Sequence, residues 1–316
     1  MGKGALQAIF LMGPTGAGKS DLALALAKEL PLEIVSVDSA MVYRGLDIGT
    51  AKPSREIRAR VPHHLIDLLD PAESYSAGRF VRDALAAIRD IRARDRVPLL
   101  VGGTMLYFHA LLEGLADLPT ADEEIRREID ERAAEEGWPA LHAELARLDP
   151  QAASRIEPGD AQRIQRALEV IRATGSPISE LQSARVPFIE RDQVLRVVVA
   201  PPGRDTLLAR IDRRLADMMT QGFLAEVERL HARSDLNADK PALRAVGYRQ
   251  LWGHLGGEYS LEEGVRRTLI ATRQLAKRQM TWLRRHRDAS WFDPLEPAAP
   301  GHITHAVRQA LESGAP

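Results

Sequence analysis

The sequence predicts an α/β fold in which a parallel sheet flanked by helices carries an inserted, all-helical domain. Over the first 120 residues, short apolar runs alternate with helical patterns, which is typical of strands buried on both faces of a parallel sheet. A glycine-rich loop joins the first predicted strand to the first predicted helix. Strand signals then vanish until about Val194, where a β-branched run returns.

The individual elements follow from local patterns along the chain. Short apolar or β-branched runs predict strands at 8–12, 34–37, 98–101 and 195–200. Helical patterns predict helices at 20–30 and at about 76–94, and most of the chain after residue 200 is predicted to be helical. This alternation of strands and helices predicts an α/β core.

A change of composition near Thr120 marks the start of the predicted insertion. Between residues 121 and 137, eight acidic residues stand against three arginines. Proline and glycine breaks divide the following segment into short helices. We therefore expect residues 1–120 to form the first part of the core, 121–187 the helical insertion, and 188–316 a return to the core plus C-terminal basic helices.

Length and composition exclude several classes of protein. The chain has 316 residues, which at roughly 150 residues per domain suggests two domains or one core with a large insertion. The 43 basic and 44 acidic residues give no global sign of a polyanionic partner. The absence of cysteine excludes disulfides and thiolate zinc sites and fits a reducing cytoplasm. No apolar run approaches the roughly 18 residues that span a membrane.

The glycine-rich loop has the pattern of a phosphate-binding loop, with a strand before it and a helix after it. Its glycines let backbone N–H groups converge on a phosphate, and Lys19 adds a positive charge. The hydroxyl of Ser20 suits Mg²⁺. The pattern predicts a bound diphosphate or triphosphate without identifying it as ATP. The predicted phosphate-binding residues are Gly13, Pro14, Thr15, Gly16, Ala17, Gly18, Lys19 and Ser20.

Polar residues follow two other predicted strands, at the edge of the sheet where ligands of such folds bind. Asp38 is expected to hold Mg²⁺ or to act as a general base, unless it only forms a turn. Gly102 and Gly103 would let a substrate approach the backbone closely. Thr104 would hydrogen-bond that substrate or cap the next helix. No strand shows the apolar run followed by aspartate of a Walker B element, with which motor ATPases and GTPases hold Mg²⁺. Its absence favours a small-molecule kinase or another transfer that uses a diphosphate.

Two surfaces are candidates for binding a polyanion. The segment from Gly264 to Arg287 has eight basic residues and no acid, whereas a merely solvated helix face usually mixes both signs. The second candidate, Gln162–Arg166, lies in the insertion and is weaker, because an ordinary polar helix face has the same composition. The eight basic residues of the first are Arg266, Arg267, Arg273, Lys277, Arg278, Arg284, Arg285 and Arg287.

Taken together, the motifs resemble those of the tRNA dimethylallyltransferases, also called tRNA isopentenyltransferases, over nearly the whole chain. The phosphate loop is shared by many enzymes, but the ordered set of motifs is typical of this family, and Asp47–Pro53 is highly characteristic. The matching segments are Gly13–Ser20, Ser36–Tyr43, Asp47–Pro53, Pro62–Asp67, Tyr75–Ala77, Pro98–Tyr107, Gln162–Arg166, Arg244–Arg249 and Thr272–Trp282.

The resemblance implies transfer of a dimethylallyl group from dimethylallyl diphosphate to the exocyclic N6 amine of adenosine 37 of tRNA, with release of diphosphate. It implies that Asp38 takes the proton and that Thr104 orients the amine or the base. An arginine would contact the diphosphate, and we favour Arg214 over Arg210. Mg²⁺ at Ser20 and the phosphate loop would neutralise the leaving diphosphate.

The resemblance also implies a set of contacts to the anticodon stem-loop of tRNA. We expect a monomer in the cytoplasm with no membrane partner. A nucleoside kinase would share the phosphate loop but not the basic helix, and a non-enzymatic RNA-binding module would leave that loop unused. The implied tRNA-binding residues are Asp38, Ser39, Ala40, Met41, Thr104, Arg126, Gln162, Arg163, Ile164, Gln165, Arg166, Arg244, Gly247, Tyr248, Arg249, Lys277, Arg278 and Arg284.

Overall fold

The structure is a computed structural model that describes residues 5–116, 118–120, 122–182 and 185–315. It divides the chain into a core unit, which runs up to Leu112 and resumes at Ile189, and a helical unit, Glu113–Phe188. The helical unit begins at Glu113, before the start of the expected insertion, 121–187. This earlier start could not be predicted, because residues 113–116 lack the charge change on which the expected boundary was based. Residue 121 itself lies outside the described residues.

The core unit is built on a six-stranded parallel sheet in the order β3-β2-β4-β1-β5-β6. This confirms the predicted fold class. The four predicted strands are present, whereas the short edge strands β3 and β6 escaped prediction because they lack an apolar run. The strands are β1 (Ala8–Met12), β2 (Leu32–Val37), β3 (His63–His64), β4 (Val97–Gly102), β5 (Val194–Val199) and β6 (Ser290–Phe292).

Helices flank this sheet and supply the side chains that close its core. Every residue of β1 and β2 is buried. This explains the continuous apolar run of β1 and the mostly apolar sequence of β2, in which Glu33 and Ser36 are buried as well. The helices of the core unit are α1 (Lys19–Glu29), α2 (Arg55–Arg60), α3 (Ala77–Arg92), α4 (Met105–Glu113, ending at the unit boundary), α10 (Arg204–Thr220), α11 (Phe223–His231), α12 (Tyr248–Leu255), α13 (Leu261–Leu283) and α14 (Ala299–Ser313).

The helical unit has its own hydrophobic core, in which Ile129, Leu141, Leu145, Ile164 and Leu168 are buried. Asp122 caps the first helix of the unit, since its side chain accepts two backbone N–H groups there. None of the described helices is both long and apolar enough to cross a membrane. The helices of this unit are α5 (Glu123–Glu136), α6 (Trp138–Leu148), α7 (Pro150–Ala153), α8 (Ala161–Thr174) and α9 (Ile178–Leu181).

Candidate active site

The glycine-rich loop turns tightly between β1 and α1, as its motif predicts. Gly16 and Gly18 have φ angles of +80° and +90°, which favour glycine. At Gly13, a Cβ atom would lie 2.2 Å from the carbonyl oxygen of Val199 on β5. The sequence of the loop therefore reflects both its curvature and its contact with the neighbouring strand.

Lys19 is the first residue of α1 and is only partly exposed. Its Nζ donates a hydrogen bond to the carbonyl oxygen of Pro14 at 2.8 Å. Burial and the nearby charge of Arg214 lower the pKa of Lys19 to about 7, while Asp38 opposes this shift. The ammonium group therefore loses its proton close to neutral pH, and an anion bound beside it would stabilise the charged form.

Two cavities adjoin the loop within the core unit. The loop cavity, of about 380 Å³, is lined by Lys19 and Ser20 together with an apolar wall. The helix cavity, of about 490 Å³, is lined by α13 and by the segment 244–248. Six residues line both cavities and are called here the boundary residues: Thr15, Asp38, Thr50, Gly103, Arg214 and Gln279.

Asp38 lies directly after β2 and is partly buried among the boundary residues. Its Oδ1 accepts the backbone N–H groups of Ala40 at 2.8 Å and Met41 at 3.2 Å. The turn that the sequence offered as an alternative is therefore present. No described residue donates a hydrogen bond to Oδ2, so this second oxygen remains available to a substrate.

Thr104 follows β4 and lines the helix cavity. Its Oγ1 accepts the backbone N–H of Ser39 at 3.2 Å, and its own N–H donates to the carbonyl oxygen of Val37. The side chain thus connects two strand ends, and no amide among the described part of α4 donates to it. The hydroxyl proton remains free to donate to a ligand.

The structure separates the two candidate arginines on α10. Arg214 is a boundary residue that donates to the carbonyl oxygen of Thr50 at 3.3 Å. Burial lowers the pKa of Arg214, and Asp38 opposes the shift. Arg210 donates instead to the carbonyl oxygen of Gly16 at 2.7 Å and lines neither cavity. The geometry therefore favours Arg214 for contact with an anion and Arg210 for support of the loop.

Gly102 at the end of β4 and Gly103 directly after it make room for other parts of the protein. A Cβ at Gly102 would lie 2.0 Å from the carbonyl oxygen of Val37, and one at Gly103 would lie 2.3 Å from Nε2 of Gln279. The sequence predicts that a substrate approaches the backbone closely at these glycines. In the structure, atoms of Val37 and Gln279 lie there. Gln279 lies in Thr272–Trp282, one of the segments that resemble the family, but the sequence alone predicts no role for it.

A buried carboxylate anchors the characteristic segment Asp47–Pro53. Glu226 on α11 is 2% exposed and accepts the N–H groups of Asp47, Ile48 and Gly49 at 2.7–3.1 Å. The hydroxyl of Tyr248 donates to it at 2.6 Å. This network positions Thr50, whose carbonyl oxygen holds Arg214. This network could not be predicted from the sequence, because Glu226 lies in an ordinary amphipathic helix.

The segment 244–249 is divided between the surface and the interior. Arg244 and Arg249 are exposed, and Arg244 lines the helix cavity. Tyr248 is fully buried at the wall of the helix cavity, and its hydroxyl supports the segment Asp47–Pro53 through Glu226. Gly247 has a φ of +92° and packs against Phe223.

Three of the eight basic residues counted between Gly264 and Arg287 form ion pairs in the structure. Arg266 and Arg267 both bind Glu263, one residue before the counted segment, and Arg273 binds Asp212 on α10. The expectation of an unmixed positive face is therefore wrong for the first part of α13. Within the described chain, no ion pair involves the exposed residues that follow: Lys277, Arg278, Arg284, Arg285 and Arg287.

Several predicted tRNA-binding residues of the helical unit are engaged within that unit. Arg126 and Arg166 both bind the fully buried carboxylate of Glu169, at 3.0 and 2.8 Å. These arginines lower the pKa of Glu169 against the effect of its burial. Arg166 also donates to the carbonyl oxygen of Pro119 at 2.8 Å. Both side chains are partly exposed.

The rest of the segment Gln162–Arg166 presents two residues to solvent. Ile164 is fully buried, and Gln165 donates to Asp130 at 2.7 Å. Gln162 and Arg163 are exposed, although Arg163 also contacts Asp160 at 3.2 Å. Of the five residues, Gln162 and Arg163 are thus the most accessible to a nucleic acid.

Comparisons of the sequence with known proteins identify the family of this chain. The model of the IPP transferase family matches residues 41–286. The chain is 57% identical over 307 residues to a tRNA dimethylallyltransferase of Methylococcus capsulatus, covering 96% of this chain and 97% of that one. It is 54% identical over 289 residues to a tRNA dimethylallyltransferase of Coxiella burnetii, covering 90% of this chain and 92% of that one.

Solved structures give the same result. A tRNA isopentenylpyrophosphate transferase from Bacillus halodurans has a TM-score of 0.70 and 36% identity over 97% of each chain. A eukaryotic dimethylallyltransferase acting on tRNA has a TM-score of 0.81 and 26% identity, covering 98% of this chain and 80% of that one. With its phosphate loop, its boundary residues and these relatives, the chain belongs to the IPP transferase family, the family of the tRNA dimethylallyltransferases.

Proposed function

We propose that this protein transfers a dimethylallyl group from dimethylallyl diphosphate to the N6 amine of adenosine 37 in tRNA, releasing diphosphate. The observation that carries the proposal is that two cavities share one boundary of polar residues. Two substrates that enter from different cavities would meet at Asp38 and Arg214. The relatives named as tRNA dimethylallyltransferases support the choice of substrates, and position 37 rests on the family resemblance.

The loop cavity suits the donor. Backbone N–H groups of the loop, the Lys19 ammonium and the Arg214 guanidinium can bind the diphosphate. The apolar wall includes Leu24, Ile34 and Ile57, which suit an allyl group. Arg214 lies at the boundary between the cavities. A diphosphate bound to it would therefore hold the attached allylic carbon close to that boundary.

The helix cavity suits the acceptor base. Adenosine 37 would have to leave its stack to enter, as in other enzymes that modify bases. Met105, Leu106 and Trp282 provide apolar surface in this cavity, and Arg244 and Arg278 provide positive charge for the phosphates of the RNA.

At the boundary, the N6 atom attacks the allylic carbon, the carbon–oxygen bond breaks, and diphosphate leaves with the bonding electrons. The N6 proton passes to Oδ2 of Asp38, because Oδ1 already accepts two backbone N–H groups. The Thr104 hydroxyl orients the base or the amine. Lys19 and Arg214 stabilise the charge that develops on the leaving diphosphate.

Mg²⁺ fits the donor set of this site. The exposed Ser20 hydroxyl lines the loop cavity beside Lys19, and Mg²⁺ usually takes few protein ligands, with phosphate oxygens and water completing its shell. No group of three acidic or histidine side chains among the described residues offers a binding site made of protein alone. Ser20 would hold the ion, whose charge would assist departure of the diphosphate.

For tRNA, we propose that the exposed basic residues at the end of α13 bind phosphates of the anticodon stem-loop and that Gln162 and Arg163 contact its loop. The predicted roles of Arg126 and Arg166 remain proposals, in which the partly exposed surface of these two side chains contacts the RNA. We also propose that the protein acts as a monomer. We place its action in the cytoplasm, in keeping with the cysteine-free sequence.

Incubation of the protein with tRNA and radiolabelled dimethylallyl diphosphate, with Mg²⁺ and without ATP, tests this function. We expect label in the tRNA, with N6-(dimethylallyl)adenosine after nuclease digestion. The same tRNA with guanosine in place of adenosine 37 serves as control and should remain unlabelled. A product that forms only with ATP and carries phosphate would show a kinase instead.

A further inference from the structure

Gln279 connects the basic helix α13 to the phosphate loop. Its side chain is buried, with 8% of its surface exposed. Its Oε1 accepts the backbone N–H of Thr15 at 2.8 Å, and its Nε2 donates to the carbonyl oxygen of Gly103 at 2.9 Å. One amide thus joins three segments that are far apart in the sequence.

The fit around this amide is specific. A Cβ atom at Gly103 would lie 2.3 Å from Nε2 of Gln279, so glycine is needed there for the amide to approach. An apolar side chain of similar length at position 279 would fill the space but leave the Thr15 N–H and the Gly103 carbonyl without their partner.

The position of Gln279 relates it to both proposed substrates. Thr15, Gly103 and Gln279 all line both cavities. Directly before it on α13, Lys277 and Arg278 are exposed, and Arg278 lines the helix cavity. A small displacement of α13 caused by RNA binding would therefore reach the phosphate loop through a single side chain.

Resting on the proposed function, we propose that Gln279 is a positioning residue that couples the two substrate sites. Through the backbone of Thr15 and Gly103, it makes the affinity for the diphosphate group depend on whether tRNA is bound. Coupling of this kind is reciprocal, so bound diphosphate changes the affinity for tRNA by the same factor.

Binding measurements without turnover test the coupling. We use unmodified tRNA and inorganic diphosphate with Mg²⁺, and we measure the Kd for tRNA with and without saturating diphosphate. The ratio of the two values is the coupling factor. For the unaltered protein we expect a factor in the usual range of about 5 to 150.

The substitution Gln279→Met removes both hydrogen bonds and keeps the length of the side chain. We expect its coupling factor to fall close to one. A decrease in affinity through general weakening of the fold would change both Kd values alike and would cancel in the ratio. The matched control is Gln274→Met on the same helix, since Gln274 is exposed and lines neither cavity. Its coupling factor should equal that of the unaltered protein.

A second variant covers the case in which Gln279→Met does not fold. In Gln279→Glu the carboxylate still accepts the Thr15 N–H but cannot donate to Gly103, so the coupling factor should again fall. Circular dichroism and thermal melting show which of the two variants is folded, and the folded variant is used for the binding measurements.

A coupling factor of one in the unaltered protein, or an unchanged factor in a folded Gln279 variant, would overturn the proposal. The proposed function would survive either result if the unaltered protein still transfers label to tRNA. If no label is transferred, the function itself fails, whatever the coupling factor is.

Discussion

The helical unit and the core unit differ in how they use charge. The helical unit contains 16 acidic residues and nine arginines, a net charge of −7, whereas the rest of the chain contains 28 acidic and 34 basic residues, a net charge of +6. In the helical unit, Arg126 and Arg166 bind a buried carboxylate. In the core unit, the exposed basic residues at the end of α13 have no ion-pair partner in the described chain.

This difference separates two contributions to the recognition of tRNA. The core unit has the excess of positive charge that attracts phosphates at long range. We propose that the helical unit, with its excess of negative charge, recognises RNA through short-range hydrogen bonds from accessible groups such as Gln162. The comparison therefore predicts that variants of the core change turnover, the binding of phosphate groups and the salt dependence. Variants of the helical unit should change discrimination between RNAs.

The largest expected effect tests whether the chemistry belongs to the core unit alone. Asp38→Asn should lower the single-turnover rate by about 100- to 10,000-fold, because the general base is removed. The asparagine oxygen can still accept the N–H groups of Ala40 and Met41, so the loop and the tRNA affinity should be retained. A single-turnover rate like that of the unaltered protein would remove Asp38 from this role.

A change of pH should next distinguish binding of the donor from binding of tRNA. The pKa of Lys19 is lowered to about 7 in the free protein, and bound diphosphate would raise it, so binding takes up a proton above that pH. The affinity for inorganic diphosphate should fall as the pH rises above 7, by up to about tenfold per pH unit. Well below pH 7, Lys19 is charged in both states and contributes no pH dependence.

The ionisation of the ligand is controlled by repeating this titration with Lys19→Ala. The difference between the two pH profiles belongs to Lys19. Since its charge meets phosphate oxygens, this variant should bind diphosphate much more weakly and bind tRNA almost normally. Failure to bind tRNA, with intact diphosphate affinity, would contradict the assignment of the loop.

Salt dependence sharpens the comparison within α13. Replacing Lys277 and Arg278 with alanine should reduce the slope of log K for tRNA against log salt by about 0.7 to 0.9 for each phosphate that the variant no longer binds. The matched control replaces Arg266 and Arg267, which carry the same total charge but bind Glu263. The control should reduce the slope less. If the unaltered protein and a folded Lys277/Arg278 variant have equal slopes, these two side chains do not contact phosphates of the RNA.

The smallest effect is expected in the helical unit. Gln162→Ala should change the relative affinity for matched and altered anticodon loops by about 1 kcal/mol, roughly fivefold, with no change in the salt slope because no charge is removed. Gln165→Ala is the control on the same helix, since Gln165 is bound to Asp130. A Gln162 variant that alters the salt slope without altering discrimination would remove the contrast between the units.

The sequence by itself determined much of the core and of the phosphate site. Continuous apolar runs predict strands that are buried on both faces, because most side chains of such strands face an apolar core. The phosphate loop, Asp38 and Thr104 were found because each follows a recognisable strand. The edge strands β3 and β6 were missed because edge strands bury little, and their residues are mostly half-buried or exposed.

Only the tertiary structure decided which polar groups act together. Gln279 and Thr15 are 264 residues apart, and Glu226 and Asp47 are 179 residues apart. Periodicity and local motifs report on neighbours within a few turns of the chain, so they carry no information about such pairs. The same reason explains the charge count on α13, where Asp212 from another helix neutralises Arg273. Whether a charge remains free for a ligand depends on what packs beside it, and only folding brings those partners together.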